Sequence, residues 1–275
     1  MPLPTSPSLL CACPWWPAMQ ALTRREPALP RVPLIAGPHA IGSIARPLLA
    51  ELLAAPLPLA EHGGAAHLQA PWDEALDTLA DWLRANGHAG RWRDERIAVP
   101  DNRTGQRVSR IERGVSRNLG ITTCAVQVHA AVQGQPLWWL QQRALDKATD
   151  PGRWDSLAGG LVADGEHPAQ AAVREAWEEA GVRVEQALDV RACGRYTVRR
   201  PVDDSGSHGY MVEVVHTYAW LLPPGLQPDN RDGEVMAFAA HDTQAIDDRV
   251  AHGELTLEAA VAIALSAGVA QADTA

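Results

Sequence analysis

The chain has 275 residues, with 24 Lys and Arg against 33 Asp and Glu and a formal net charge of -9. That balance argues against a general nucleic-acid or membrane-surface binder, which presents a basic patch, and no run reaches the ~18 consecutive apolar residues of a membrane span. The four cysteines, Cys11, Cys13, Cys124 and Cys193, are too scattered for a disulfide framework, so a reducing cytoplasm is the expected setting.

Residues 1–21 lack the basic start of a signal peptide and are broken by prolines, so they read as a disordered tail, with Met19 as an alternative start. Cys11-Ala12-Cys13 has no second Cys/His pair at ligand spacing to complete a metal site. Residues 22–118 read as a small α+β leader module. Within it, 41–54 (IGSIARPLLAELLA) has helical apolar spacing with Pro47 in the first turn, and 55–70 reads as a loop. Residues 71–86 form the better helix, with Trp72, Leu76, Leu79, Trp82 and Leu83 on one side and Gly87 as its stop. Short strands follow at 96–99 and 108–111, then a brief helix at 112–119 before Gly120. His62 and His67 sit in a Gly/Ala-rich loop and read as exposed, not as ligands. With no catalytic constellation, the leader is expected to shape a substrate pocket or to form the interface of a homodimer.

Residues 119–270 read as a second domain. A strand at 121–132, a turn at Gly134-Gln135-Pro136 and a return strand at 137–142 lead into a polar loop, 144–154, that carries Lys147. Strands at 188–198 and 211–222 flank a polar connection, 203–207. An acidic turn at 230–235 leads into a strand at 236–240, and helices at 242–249 and 255–266 close the chain. Alternating strands around a long acidic helix describe an α/β fold, a sandwich with helices outside a mixed sheet.

That acidic helix lies within residues 160–182, GLVADGEHPAQAAVREAWEEAGV. Pro168 suits its first turn and Gly181 the residue past its end. At ~100° per residue, Ala169, Val173, Ala176, Trp177 and Ala180 fall on one face, and Glu175, Glu178 and Glu179 share an arc of the other. Like charges at these spacings repel by roughly 0.2–0.5 kcal/mol per pair, which Arg174 offsets only in part. A hard divalent cation, Mg²⁺ or Mn²⁺, reverses that sign and leaves coordination sites for phosphate oxygens. Arg143 and Lys147, beside this segment, are candidates to hold the non-reacting phosphate.

Gly160, Glu166, Arg174, Glu175, Glu178, Glu179 and Gly181 stand at the spacing G-x5-E-x7-R-E-x-x-E-E-x-G, which resembles the signature of the Nudix hydrolases. The resemblance implies a Nudix-type α/β/α sandwich and metal-dependent hydrolysis of a small-molecule diphosphate. It implies Glu175, Glu178 and Glu179 as metal-binding carboxylates, one of them doubling as general base. It further implies Arg174 as the residue that orients them, the Gly160 carbonyl as a metal contact, Glu166 as a carboxylate that orients the loop or reaches a metal-bound water, and Glu234 as a more distant ligand or base. Three further segments, IERGVSRNLGITT, KATDPGRWDSLAGG and DGEVMAF, resemble the Nudix proteins related to those fused to thiamine pyrophosphokinase. That resemblance implies damaged thiamine diphosphate analogues as substrates, and Trp138, Trp139, Trp154 and Tyr196 are the aromatic residues near the expected pocket. The alternatives are hydrolysis of nucleoside diphosphate derivatives such as ADP-ribose or NADH, a non-catalytic nucleotide sensor, and an isopentenyl diphosphate isomerase using Cys124, whose setting ITTCAVQV does not resemble the Cys-Cys-Ser-His-Pro of that family.

Overall fold

The computed structural model describes residues 13–147, 149–203 and 209–273. Cys11 with the tail before Cys13, and most of the connection 203–207, lie outside the described residues. The rest of the expected tail is structured: α1 (Trp16–Leu22) has Pro17 in its first turn, and Trp15, Trp16 and Met19 pack on the core of the second domain. The Trp15 indole N–H donates to Asp247 at 2.6 Å. Aromatic burial has overridden the proline-rich composition that reads as disorder.

The leader is built on a four-stranded sheet of order β2-β1-β4-β3, from β1 (Arg31–Ala36), β2 (His39–Ala45), β3 (Leu59–His62) and β4 (Ala65–Leu68). The expected helix at 41–54 is therefore two elements. Ile41 and Ile44 are buried in β2, whose residues pair with β1 as Val32↔Ile44 and Leu34↔Gly42. Only from Arg46, with Pro47 in the first turn, does α2 (Arg46–Ala54) start. The expected loop at 55–70 contains the hairpin of β3 and β4, turned by Gly63 and Gly64 at φ 60° and 77°, a two-residue loop whose positive φ values suit glycine. The helix α3 (Trp72–Ala85) forms as read, with Leu76, Leu79 and Leu83 fully buried. A second hairpin joins β5 (Arg96–Pro100) to β6 (Arg107–Glu112). After it, only Arg113–Val115 is helical, a single 3-10 turn that opens on the Glu112 side chain, which accepts the Gly114 N–H, and closes with the Ser116 N–H on the Arg113 carbonyl.

The second domain centres on β7 (Thr122–Val132). It continues through β8 (Trp138–Arg143), β9 (Trp154–Asp155), β10 (Ala158–Leu161), α4 (Pro168–Ala180), β11 (Asp189–Pro201), β12 (Tyr210–Leu222), β13 (Val235–His241), α5 (Thr243–Ala251) and α6 (Leu257–Ser266). The mixed sheet runs β11-β12-β7-β8-β13, with β12 parallel to β7 and the other pairs antiparallel. Alternation along β7 sends Val126, Val128 and Ala130 to the core under α4 and Ala125 to the core under α5 and α6, so helices cover both faces.

Candidate active site

The site lies where the sheet splits. Along one edge of β7, β8 pairs at Ala130 and Ala131, while β10 pairs at residues 125–128. The two partners diverge, and α4 lays side chains into the gap between them. A capping box at His167 and Gln170, Pro168 in the first turn and Gly181 at φ 63° set the limits of α4.

The rotation of α4 differs from the expected one. Its buried face is Ala171, Ala172, Ala176, Glu179 and Ala180. Val173 is 37% exposed, and Trp177 is half-buried with Arg231 and Arg183 at 4.1 and 4.6 Å from its ring. The face turned to β10 places Glu175 over Gly160 and buries the alanines, and the indole of Trp177 falls outside it. Trp177 is instead held by cation–π contacts. Glu175 and Glu179 consequently look inward, while Glu178 stays 47% exposed and does not line the cavity.

Glu175 lies over Gly160, where a Cβ would come within 2.1 Å of its Oε1. Arg174 holds this corner: Nε and Nη2 both donate to Glu166 at 2.9 Å, Nη1 donates to Glu175 at 2.7 Å and to Glu178 at 3.1 Å, and Nη2 also reaches the Leu161 carbonyl at 3.1 Å. That fork holds the Glu166 carboxyl below its usual range. Burial pushes Glu175 up, and Arg174 counters only part of the shift.

Glu179 is 2% exposed and accepts from Gln141 Nε2 at 2.8 Å and from the Gly159 N–H at 2.9 Å, one donor from each strand of the split. Lys147 Nζ lies 3.5 Å from Glu179 and also binds Glu234, which Arg93 reaches at 3.3 Å. Burial raises Glu234, but Lys147 and Arg93 outweigh it and hold the carboxyl below its usual value. Glu179, Asp232 and Glu234 each offer an oxygen within 4.8 Å of one another. Asp232 was not singled out in the sequence; the acidic turn 230–235 was its only signal. Its carboxylate accepts the Glu234 N–H at 2.8 Å and so shapes that turn.

The proposed phosphate holders are engaged within the protein. Arg143 donates to Asp155 at 2.9 Å and twice to the Thr149 carbonyl, at 2.9 and 3.2 Å, so it braces the loop. Lys147 serves the carboxylates. Both nevertheless line the cavity, which measures about 250 Å³. Trp138, Trp139 and Tyr196 are core residues at 3%, 7% and 5% exposure, and Trp154 packs on Arg249 and His241. No aromatic side chain is among the described residues lining the cavity.

This donor set suits a hard divalent cation. It is made of carboxylate oxygens, with a glycine strand whose missing Cβ leaves room for Glu175 and a buried Gln141 Oε1 that has no hydrogen-bond partner. Burial pushes Glu179 up to about 7 from an ordinary 4.5. The raised value means that the metal-free fold keeps a proton the unfolded chain releases, so this group's contribution to stability is full below about 4.5 and is lost as pH rises through about 7. Mn²⁺ binding is expected to release that proton and to weaken about tenfold per pH unit below neutrality. Calorimetric titrations at pH 6 and 8 check this, and Glu179→Gln should flatten the dependence.

A mixed sheet between helices, split over an acidic glycine-lined cleft, defines an α/β/α sandwich. Residues 122–261 match the NUDIX domain, and the chain belongs to the Nudix family. It is similar to Nudix hydrolase 24, chloroplastic, of Arabidopsis thaliana, 32% identical over 130 residues that make up 46% of this chain and 34% of that protein. It is also similar to an isopentenyl-diphosphate Delta-isomerase of Streptomyces coelicolor, 33% identical over 101 residues, 37% of this chain and 49% of that enzyme. Among solved structures it is similar to DR0079 from Deinococcus radiodurans, at 20% identity and a TM-score of 0.47, covering 58% of this chain and 91% of that one. The chain thus spans about a third of the length of the Arabidopsis relative. Among the described residues no helix is long and apolar enough to cross a membrane.

Proposed function

We propose that the protein is a Mg²⁺- or Mn²⁺-dependent hydrolase that cleaves a diphosphate linkage in a small molecule. The observation that carries this reading is the convergence of Glu175, Glu179 and Glu234 on one cavity beside Gly160. The cation is assigned to Glu175, Glu178, Glu179 and Glu234, with the Gly160 carbonyl and Asp232 completing the set. When bound, it neutralises diphosphate oxygens and acidifies water. Arg174 fixes the directions of Glu175 and Glu178. A cavity carboxylate within ~3 Å of the attacking water takes its proton. Lys147 pairs with both Glu179 and Glu234, and its charge balances carboxylates that would hold the cation.

For the substrate, we favour thiamine diphosphate analogues cut to the monophosphate. The three segments that resemble the thiamine-related subgroup all supply cavity residues: Arg113 and Arg117 from the first, Lys147, Asp150 and Asp155 from the second, and Glu234 from the third. ADP-ribose and NADH are the second class to test. The isomerase reading loses its proton donor, because Cys124 packs toward the α4 side and does not line the cavity, and burial pushes its thiol up to about 11. A sensor keeps no need for the carboxylates that this chain retains. Among the described residues Cys124 and Cys193 are free thiols.

The test is a panel of thiamine diphosphate, its oxidised analogues, ADP-ribose, NADH and dinucleoside polyphosphates read as kcat/KM, which reports transition-state discrimination. The expected result is cation-dependent cleavage with the thiamine analogues preferred. A preference for ADP-ribose or NADH would reassign the substrate.

A further inference from the structure

Part of the cavity wall comes from outside the region that matches the family. Arg91, Arg93, Arg113 and Arg117 all precede residue 122, yet they line the same cavity as Glu175 and Glu179. A protein with a net charge of -9 that takes a diphosphate needs such local cations.

The two leader segments that carry these arginines are fastened together. The Gly90 N–H donates to the Gly114 carbonyl at 2.9 Å, and the Arg113 N–H to the Glu95 carbonyl at 3.0 Å. The approach is close enough that a Cβ on Gly114 would lie 2.9 Å from the Arg91 carbonyl oxygen. Between them sits Glu112, 3% exposed. Its Oε1 accepts the N–H groups of Arg93 at 3.0 Å and Gly114 at 3.2 Å, and its Oε2 accepts that of Glu95 at 3.1 Å. Burying a carboxylate costs several kcal/mol unless its lone pairs are satisfied. Here the donors are backbone amides, so the charge fixes the backbone that bears Arg93 and Arg113.

The arginines divide the labour. Arg93 reaches Glu234 at 3.3 Å. Arg117 reaches Thr149 at 3.1 Å and the Met211 sulfur at 3.5 Å, farther along the cavity. Arg113 gives one Nη1 bond to Glu95, and its charge is felt at Glu175. A guanidinium has five N–H donors in a planar fork, so the bond to Glu95 orients Arg113 and leaves donors for a bidentate phosphate.

We propose that the leader is the anion clamp of the site: Arg113 binds the substrate diphosphate, Arg93 holds Glu234, and Glu112 is the positioning residue for both. The diphosphate as ligand rests on the hydrolase reading.

The test is calorimetric titration of the full chain with imidodiphosphate, a non-hydrolysable diphosphate, and separately with Mn²⁺. Arg113→Ala is expected to weaken imidodiphosphate roughly tenfold or more and to leave Mn²⁺ affinity within about twofold, with Arg113→Lys recovering only part because it lacks the fork. Glu112→Gln should weaken imidodiphosphate in the same direction as Arg113→Ala. If Glu112→Gln unfolds, Arg113→Lys still decides the role of Arg113. Imidodiphosphate binding to Arg113→Ala within about twofold of wild type, or no binding to wild type, overturns the clamp. Arg113-dependent imidodiphosphate binding by a protein that cleaves no diphosphate leaves the clamp standing and removes the hydrolase reading.

Discussion

Gly160→Ala is expected to lower kcat by roughly a hundredfold, the loss that a ~1 Å misplacement of a reacting group produces. The added methyl would meet Glu175 Oε1 at 2.1 Å and its carboxyl carbon at 2.4 Å. Those atoms are the far end of a flexible side chain, so the carboxylate moves and the backbone stays. The stability cost is then that of modest overpacking, about 1–3 kcal/mol. Steady-state kinetics beside a thermal melt check both parts. Near-normal kcat would mean that the position of Glu175 over Gly160 has no part in the reaction.

Glu178→Gln is expected to lower turnover by roughly a hundredfold or more while leaving the melting temperature unchanged. Its side chain is 47% exposed, and its contact with Arg174, at 3.1 Å, is an i,i+4 pair worth at most ~0.5 kcal/mol. The effect must therefore appear in chemistry and cation binding alone. Turnover near that of wild type would confine the cation to Glu175, Glu179, Asp232 and Glu234.

How far the sequence carries depends on whether a feature is local. Pro168 and Gly181 are local signals, and α4 begins and ends where they stand. The long alternation of β7 and the apolar stripe of α3 are equally local, and both form. The rotation of α4 is not local: a helical wheel turns Val173 and Trp177 inward, and in the fold Ala171, Ala172 and Glu179 are buried instead.

Other departures have similar causes. IGSIA fits either period, and pairing with β1 selects the strand. The residues beside Gly63-Gly64 lack a run of β-branched or aromatic residues, so 55–70 reads as a loop although it holds a hairpin. Arg113 carries no mark in the sequence that brings it to Glu175. Its place depends on the contacts of Glu112 across the leader, which are tertiary.

The central claim is cation-dependent cleavage of a diphosphate bond. Its most direct measurement is the ³¹P NMR spectrum of thiamine diphosphate and of ADP-ribose incubated with the full chain and Mg²⁺ or Mn²⁺, beside a chelated control. Loss of the diphosphate resonances of at least one substrate and growth of monophosphate resonances are expected, with the chelated sample unchanged. Diphosphate resonances that persist with both cations and both substrates would contradict that claim.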